Sequence, residues 1–289
     1  MPLGESNTQQ ILKMNTKEIL NAFPLPEGKI LRNIDKNGCE RAVEQIISGG
    51  RKITREIIDL ILEPGNGDDI RPRHAIHATA IRVGGTGKEI ERNSFASALA
   101  STLNDDRPKG VKVFIIRQLQ ICGGAKQADS IAHFLNNSEE HLYEYSAQAL
   151  EAIGILTIEH FRKAYPLAKG APRLTILQGL GVLQDKKSRQ FFLAAMQDSD
   201  REIRLAGIWC LMRISSAKDA ELMLSQSRKE KGWGRIKATA YCFELAEKLA
   251  RNGQSKEAKG IYIKIKKSHS EKQDAYLRES ADRGLAQLQ

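Results

Sequence analysis

Aromatic residues and cysteines are scarce in this chain of 289 residues, and long apolar runs are missing. Phe, Trp and Tyr make up 6% of the sequence, and the cysteines, at positions 39, 122, 210 and 242, form no Cys-x-x-Cys pair. A cysteine-based metal site needs closely spaced ligands, and a disulfide framework is superfluous in a chain this long. No apolar stretch approaches the length of a membrane span. We therefore expect a soluble protein with buried, reduced and structural cysteines.

The amino-terminal segment gives a weaker indication of the compartment. Residues 1–10 are polar and lack the basic and then apolar pattern of a signal peptide. We expect a cytoplasmic protein by default, and an exported one if a signal segment preceded this sequence.

The abundant residues are those that favour helices. Ala, Leu, Ile, Lys, Glu and Gln are plentiful, whereas the β-branched and aromatic blocks typical of strands are missing. Arg173, Arg204 and Arg235 stand 31 residues apart, and each opens an apolar run with helical spacing. One such run cannot bury its own apolar face, so stability requires stacking on neighbours. The sequence predicts an all-α repeat array without a sheet.

Glycines and turn-forming residues divide this array into segments. Helices are predicted to end at Gly84 and Gly85, at Gly123 and Gly124, and at Gly154, where a left-handed residue is expected. A loop dense in turn formers over residues 63–69 separates an amino-terminal helical cap, residues 1–65, from the array, residues 66–289. Within the cap we predict helices over residues 16–23, 39–48 and 54–62.

One segment resembles a known repeat. Met196-Gln-Asp-Ser-Asp-Arg-Glu-Ile-Arg-Leu-Ala-Gly-Ile-Trp-Cys-Leu is similar to the short, bacterial type of HEAT repeat known from phycobilisome-lyase-like proteins, and residues 142–154, 173–185 and 277–288 resemble it too. The resemblance implies an α-solenoid, a superhelix of six or seven antiparallel helix pairs over residues 66–289. Members of this family are mostly scaffolds and adaptors, so the resemblance identifies a fold better than a function.

The resemblance also implies a role for the repeated arginines. In the family they bond with acidic turn residues of adjacent repeats and form a structural ladder, for which Asp198 or Asp200 with Arg204 is the best candidate pair. Arg173 and Arg235 follow stretches without an acidic turn, so their partners are open.

The helix that contains Trp209 is apolar on two sides. If Ile203, Cys210 and Leu211 face the core, an apolar ridge faces the other way and recurs 31 residues before and after. Because the second helix lines the concave side of HEAT-like stacks, the ridge could hold a partner segment with Trp209 as anchor. The alternative is that these residues are simply core. The predicted ridge comprises Leu174, Leu177, Gln178, Leu205, Ile208, Trp209, Met212, Ile236 and Phe243.

The carboxyl-terminal part is longer and basic. Residues 241–265 resemble a single tetratricopeptide unit, and residues 227–289 hold 15 Lys and Arg against 8 Asp and Glu. Within the carboxyl-terminal unit, residues 241–289, Lys264, Lys266 and Lys267 form a basic cluster. It is the place to look first if nucleic acid binds.

The sequence contains no complete motif typical of a catalytic or metal-binding site. His74 and His77 share one helix, but no third ligand completes a metal site. The Glu140-His141 and Glu159-His160 pairs do not match the four regularly repeated His-Glu pairs of the HEAT-repeat di-iron hydroxylase. The glycine-rich turn at residues 83–89 lacks phosphate-loop spacing. We expect no catalytic residues, no metal and no cofactor.

Two functions from different classes remain. The first is a non-enzymatic scaffold, expected to be a monomer, whose concave groove binds a protein segment. The alternative is a nucleic-acid-binding protein of the HEAT-like DNA glycosylase type that uses the basic carboxyl-terminal region. Only Trp209 and Trp233 could supply the aromatic cage of such an enzyme, and neither has an Asp at a helical neighbour position.

Overall fold

A computed structural model describes residues 15–25, 34–139 and 141–288. Helices and turns, with no strand, make up these residues, which confirms the predicted all-α class. The chain divides into two compact units, Met1–His160 (unit 1) and Phe161–Gln289 (unit 2). The predictions for residues 1–10 and for Glu140 lie outside the described residues. The predicted division at residue 65 stays a prediction.

Unit 1 stacks its helices in two layers. Helices α3, α5 and α7, of 12 to 15 residues, contact one another in order, and α2, α4 and α6 pack behind them. Short 3₁₀ turns precede α6 and α8, and α8 continues across the boundary into unit 2. The helices are α1 (Thr16–Asn21), α2 (Lys36–Ile58), α3 (Ile70–Gly84), α4 (Glu89–Ser101), α5 (Lys109–Cys122), α6 (Ala128–Ala132), α7 (Leu142–Ile153) and α8 (Ile158–Ala164). A kink at Gly50, where φ is 56°, divides α2 into two helices, in agreement with the two separate helices predicted there.

Unit 2 repeats this arrangement. The long helices α9, α11 and α13 contact one another in order, and the shorter helices α10, α12 and α14 pack against them. Each unit is thus a stack of helix pairs, the α-solenoid arrangement. The helices are α9 (Gly170–Val182), α10 (Arg189–Ala195), α11 (Arg201–Ile214), α12 (Ala220–Lys229), α13 (Gly232–Arg251), α14 (Ser255–Ser268) and α15 (Ala275–Ala286).

Glycines mark the ends of α3, α5 and α7, but for different reasons. Gly154 has a φ of 93°, the region that side chains rarely adopt, as predicted. Gly85 and Gly123 instead have φ values of −65° and −68°, so the expectation of a left-handed residue is wrong there. Gly123 is needed for space, because a Cβ atom would lie 2.4 Å from the carbonyl oxygen of Leu119.

The three arginines that recur every 31 residues each reach a carboxylate further along unit 2. The acids are nearly buried, with side chains 4 to 13% exposed, whereas the arginines are about a quarter exposed. We call these ion pairs the arginine ladder. It consists of Arg173 with Asp198 (2.7 Å), Arg204 with Glu230 (2.6 Å) and Arg235 with Asp274 (2.8 Å).

The pairing of Arg204 differs from the one implied by the sequence, whereas Arg173 binds an acidic turn residue of the adjacent repeat, Asp198. Arg204 binds no carboxylate of the acidic turn; it donates to the backbone carbonyls of Asp198 and Ser199 and to both oxygens of Glu230. Asp200 caps α11, because its side chain accepts from the amide of Glu202. In the acidic turn, Asp200 therefore starts the helix and Asp198 binds Arg173 of the preceding repeat, whereas Arg204 binds Glu230 of the following repeat.

The short helices carry a second set of such pairs. Arg162 binds Asp185 at 2.8 Å, and Arg189 binds Asp219 at 2.5 Å. Both acids are buried and lie beside the 3₁₀ turn that begins the following short helix. Ion pairs therefore connect neighbouring repeats in both layers of unit 2.

Asp198 makes the stability contribution of the arginine ladder depend on pH. The amide of Asp200 and the guanidinium of Arg173 hold the pKa of Asp198 below its ordinary value. A carboxylate with a lowered pKa stabilises the fold above the ordinary aspartate pKa of about 4, and this contribution is lost as the pH falls through the folded-state pKa.

We therefore expect Asp198→Asn to be less stable than the wild type at pH 7 and to show a shallower loss of stability on acidification. Urea unfolding at several pH values between about 5 and 2 measures both effects. Asp200→Asn is the control, because asparagine caps a helix about as well as aspartate. An unchanged acid dependence in Asp198→Asn would contradict this account.

None of the described helices is long and apolar enough to cross a bilayer. The four cysteines carry free thiols, and three of them, Cys122, Cys210 and Cys242, are buried in helices. Burial raises the pKa of the Cys122 and Cys242 thiols to about 12. These thiols are protonated near neutral pH and serve as small apolar side chains.

Candidate functional site

A groove of about 710 Å³ lies on the face of unit 1 that the long helices α3, α5 and α7 form. We call it the unit 1 groove. Its volume is within the range of small-ligand and peptide sites. The lining residues are Glu63, Pro64, Arg73, His77, Lys109, Gly110, Val113, Phe114, Arg117, Gln118, Gln120, Ile121, His141 and Tyr145.

The groove is closed at one end by the loop before α3. The Glu63 carboxylate accepts from the backbone amide of Gly110 at 2.8 Å, at the amino end of α5, where free amides favour an anion. A Cβ atom on Gly110 would lie 2.5 Å from the Pro64 ring. Only a glycine at this position lets the loop approach α5 so closely.

Two arginines on the floor of the groove lie over aromatic rings of the next long helix. The guanidinium of Arg73 is 4.9 Å from the ring centre of Phe114, and that of Arg117 is 5.2 Å from the ring centre of Tyr145. Arg73 is also bound to Asp69 at 2.7 Å. Cation–π contacts of this kind fix the arginines and the rings in place. The groove therefore has a preorganised surface of cations and aromatic faces.

The two predicted histidines of α3 have protein partners. His77 shares a hydrogen bond of 2.9 Å between its Nδ1 and Oε1 of Gln118, and the His74 ring lies 5.3 Å from the ring of Phe23. Burial, with a smaller effect of His77, lowers the pKa of His74, so this side chain is neutral at pH 7. The described part of the chain contains no group of three side chains suited to hold a metal ion.

The structure places much of the predicted ridge in the core of unit 2. Leu205, Ile208 and Met212 are buried, because α11 is covered by α9, α10 and α13, and Leu177 is buried on α9, which packs against α11. The prediction that these four residues are exposed is wrong. They are core residues, which was the stated alternative. Of the remaining ridge residues, Leu174, Trp209 and Phe243 are half-buried, and Gln178 and Ile236 are exposed.

The predicted basic cluster is partly neutralised. Lys264 is ion-paired with Glu221, and Lys266 with Asp282 at 2.6 Å. The neighbouring His269 is buried, and its Nδ1 lies 2.9 Å from the carbonyl oxygen of Ile265. The cluster therefore does not present three free cations to a ligand.

The two tryptophans of the chain do not form a cage. Arg213 lies over the ring of Trp209 at 5.6 Å, and Arg201 lies over the ring of Trp233 at 5.4 Å. One face of each ring is thus occupied by a guanidinium instead of being open for stacking on a base.

The fold and the ladder define a helical repeat protein. Residues 158–242 match the family model for HEAT repeats. This segment contains α8 to α12 and the Arg173 and Arg204 pairs of the ladder, and the match agrees with the resemblance found in the sequence. No curated protein sequence matches the chain.

Several solved structures are similar to this chain. The complex of CpcE and CpcF of phycocyanin lyase from Nostoc sp. PCC7120 has a TM-score of 0.43 at 12% identity over 82% of this chain and 94% of that chain. A designed armadillo repeat protein in complex with the peptide (KR)4 has a TM-score of 0.30 at 14% identity over 80% and 98% of the two chains.

Proposed function

We propose that this protein is a non-enzymatic adaptor that holds a segment of a partner protein in the unit 1 groove. The observation that carries the proposal is the groove itself, an open site backed by three consecutive long helices and lined by fixed aromatic and cationic side chains. Aromatic and arginine side chains are enriched where proteins bind one another. A stack of repeats supplies a broad, preformed surface of this kind.

The buried thiols are not suited to act as catalytic nucleophiles. A cysteine nucleophile needs a lowered pKa, whereas burial raises the pKa of Cys122 and Cys242 to about 12. A second candidate, nucleic-acid binding through the lysine cluster, gains nothing from the structure because Lys264 and Lys266 are ion-paired.

Site-specific crosslinking tests the proposal. With p-benzoylphenylalanine in place of Gln120, an exposed residue of the groove, we expect one discrete crosslinked protein after irradiation in an extract of the source organism. The same substitution at Lys126, which is exposed on the 3₁₀ turn before α6, is the matched control and should give no such product. Equal products at both positions, or none at Gln120, would refute the groove as a partner site.

A further inference from the structure

We propose that the partner segment in the unit 1 groove is an extended peptide in which a carboxylate side chain lies between apolar ones on the same side of the strand. This inference rests on the proposed function and adds the chemistry of the ligand. It follows from the pairing of the charged residues that line the groove and from the apolar wall beside them.

Nearly every charge in the groove already has a partner. Arg73 is bound to Asp69, Lys109 lies 3.3 Å from Glu139, and the Glu63 carboxylate is held by the Gly110 amide. His141 lies 3.6 Å from Glu144. The acids near the groove are therefore engaged by residues of the chain and do not repel a ligand with their full charge.

Arg117 is the exception among the charged residues that line the groove. Its guanidinium is exposed and lies over the Tyr145 ring, and it forms no ion pair with a described residue. A guanidinium fixed over a ring keeps its donors in one orientation, which suits a carboxylate that accepts two parallel hydrogen bonds. The net charge of +10 also attracts an anionic partner at long range.

The wall beside Arg117 is apolar. Val113 and Phe114 are half-buried, and Ile121 is 39% exposed, all on α5. Arg117 lies between these residues on the same face of α5, one helical turn from Val113 and from Ile121. In an extended peptide the side chains at every second position point to the same side, so a carboxylate that binds Arg117 can be flanked on that side by apolar side chains that pack on this wall. Gln120 supplies an exposed amide on the same helix that can bond the peptide backbone.

The test uses three fluorescein-labelled octapeptides of the form Leu-Ser-X-Ser-Leu-Ser-X-Ser, in which X is Glu, Gln or Lys (the Glu–Leu, Gln–Leu and Lys–Leu peptides), so that Leu and X share one side of the strand. Fluorescence anisotropy with the full chain should show that the Glu–Leu peptide binds at least about tenfold more tightly than the Gln–Leu peptide. Arg117→Gln should bring the Glu–Leu peptide to the affinity of the Gln–Leu peptide. Lys126→Gln, which removes the same charge from an exposed position outside the groove, should change the affinity by less than about twofold.

Three results would overturn the inference. They are similar affinities for all three peptides, equal effects of Arg117→Gln and Lys126→Gln, and no binding of any peptide. Its failure can be told apart from failure of the proposed function by repeating the Gln120 crosslinking in the Arg117→Gln variant. An undiminished crosslinked product would keep the adaptor function and reject the carboxylate as the recognised group.

Discussion

Replacement of Arg204 with alanine is expected to lower the free energy of unfolding of unit 2 by about 3 kcal/mol. The Glu230 side chain is 4% exposed and accepts from Arg204 at 2.6 and 3.0 Å. Removal of one partner leaves a buried carboxylate without its counterion, which costs more than the pair contributes when intact. The carbonyls of Asp198 and Ser199 lose a donor as well.

Tryptophan fluorescence during urea unfolding measures this effect, because Trp209 and Trp233, the only tryptophans of the chain, both lie in unit 2. Arg228→Ala is the matched control. Arg228 pairs with Glu221 while the two side chains are 42% and 60% exposed, so its loss should cost less than about 1 kcal/mol. A loss in Arg204→Ala no larger than in Arg228→Ala would show that the ladder does not stabilise unit 2.

Gly207→Ala is expected to destabilise unit 2 by about 2 kcal/mol, although alanine favours helices. Gly207 lies where α11 crosses α10, and a Cβ atom would be 2.8 Å from the amide nitrogen of Met196 and 2.9 Å from the carbonyl oxygen of Phe192. Both are backbone atoms, so the clash is relieved only if the helices move apart. Overpacking of this kind typically costs 1 to about 3 kcal/mol.

Gly260 provides the opposite case on α14. It is helical, and a Cβ atom there would meet nothing within 4 Å. Gly260→Ala should therefore stabilise the protein by roughly 0.5 to 1 kcal/mol through the difference in helix propensity. The same fluorescence measurement compares both variants. Changes of equal sign in the two would contradict the packing explanation.

The sequence allows the repeats to be predicted, but only part of the ladder. The spacing of Arg173, Arg204 and Arg235 identifies the long helices α9, α11 and α13, since each arginine lies in the first turns of one of them. Their acids could not be assigned, because Glu230 and Asp274 lie at unequal distances from their arginines. Such spacing depends on loop lengths, which periodicity does not specify.

The unit 1 groove could not be predicted for a related reason. Arg117 is the ninth residue of α5, as Trp209 is the ninth residue of α11. A comparison of α5 with α11 by position places Arg117 on the same helix face as Trp209, the face that points away from the predicted core. The contact of Arg117 with Tyr145 results from the packing of α5 against α7, and this packing cannot be predicted from a local sequence pattern. The predicted ridge was partly misplaced because an apolar residue at an outward angle, such as Leu205, is covered by the neighbouring helix.

The order of residues in the ladder has a consequence for synthesis. In each ladder pair the arginine precedes its acid, by 25 residues for Arg173 and Asp198 and by 39 for Arg235 and Asp274. A ribosome adds about 5 to 20 residues per second, so the acid follows its arginine after about 1 to 8 seconds. During that time the arginine has no ladder partner. The guanidinium remains hydrated during this interval, whereas the carboxylate forms its ion pair as soon as its repeat folds. Growth from the amino terminus thus never buries a ladder acid before its arginine is present.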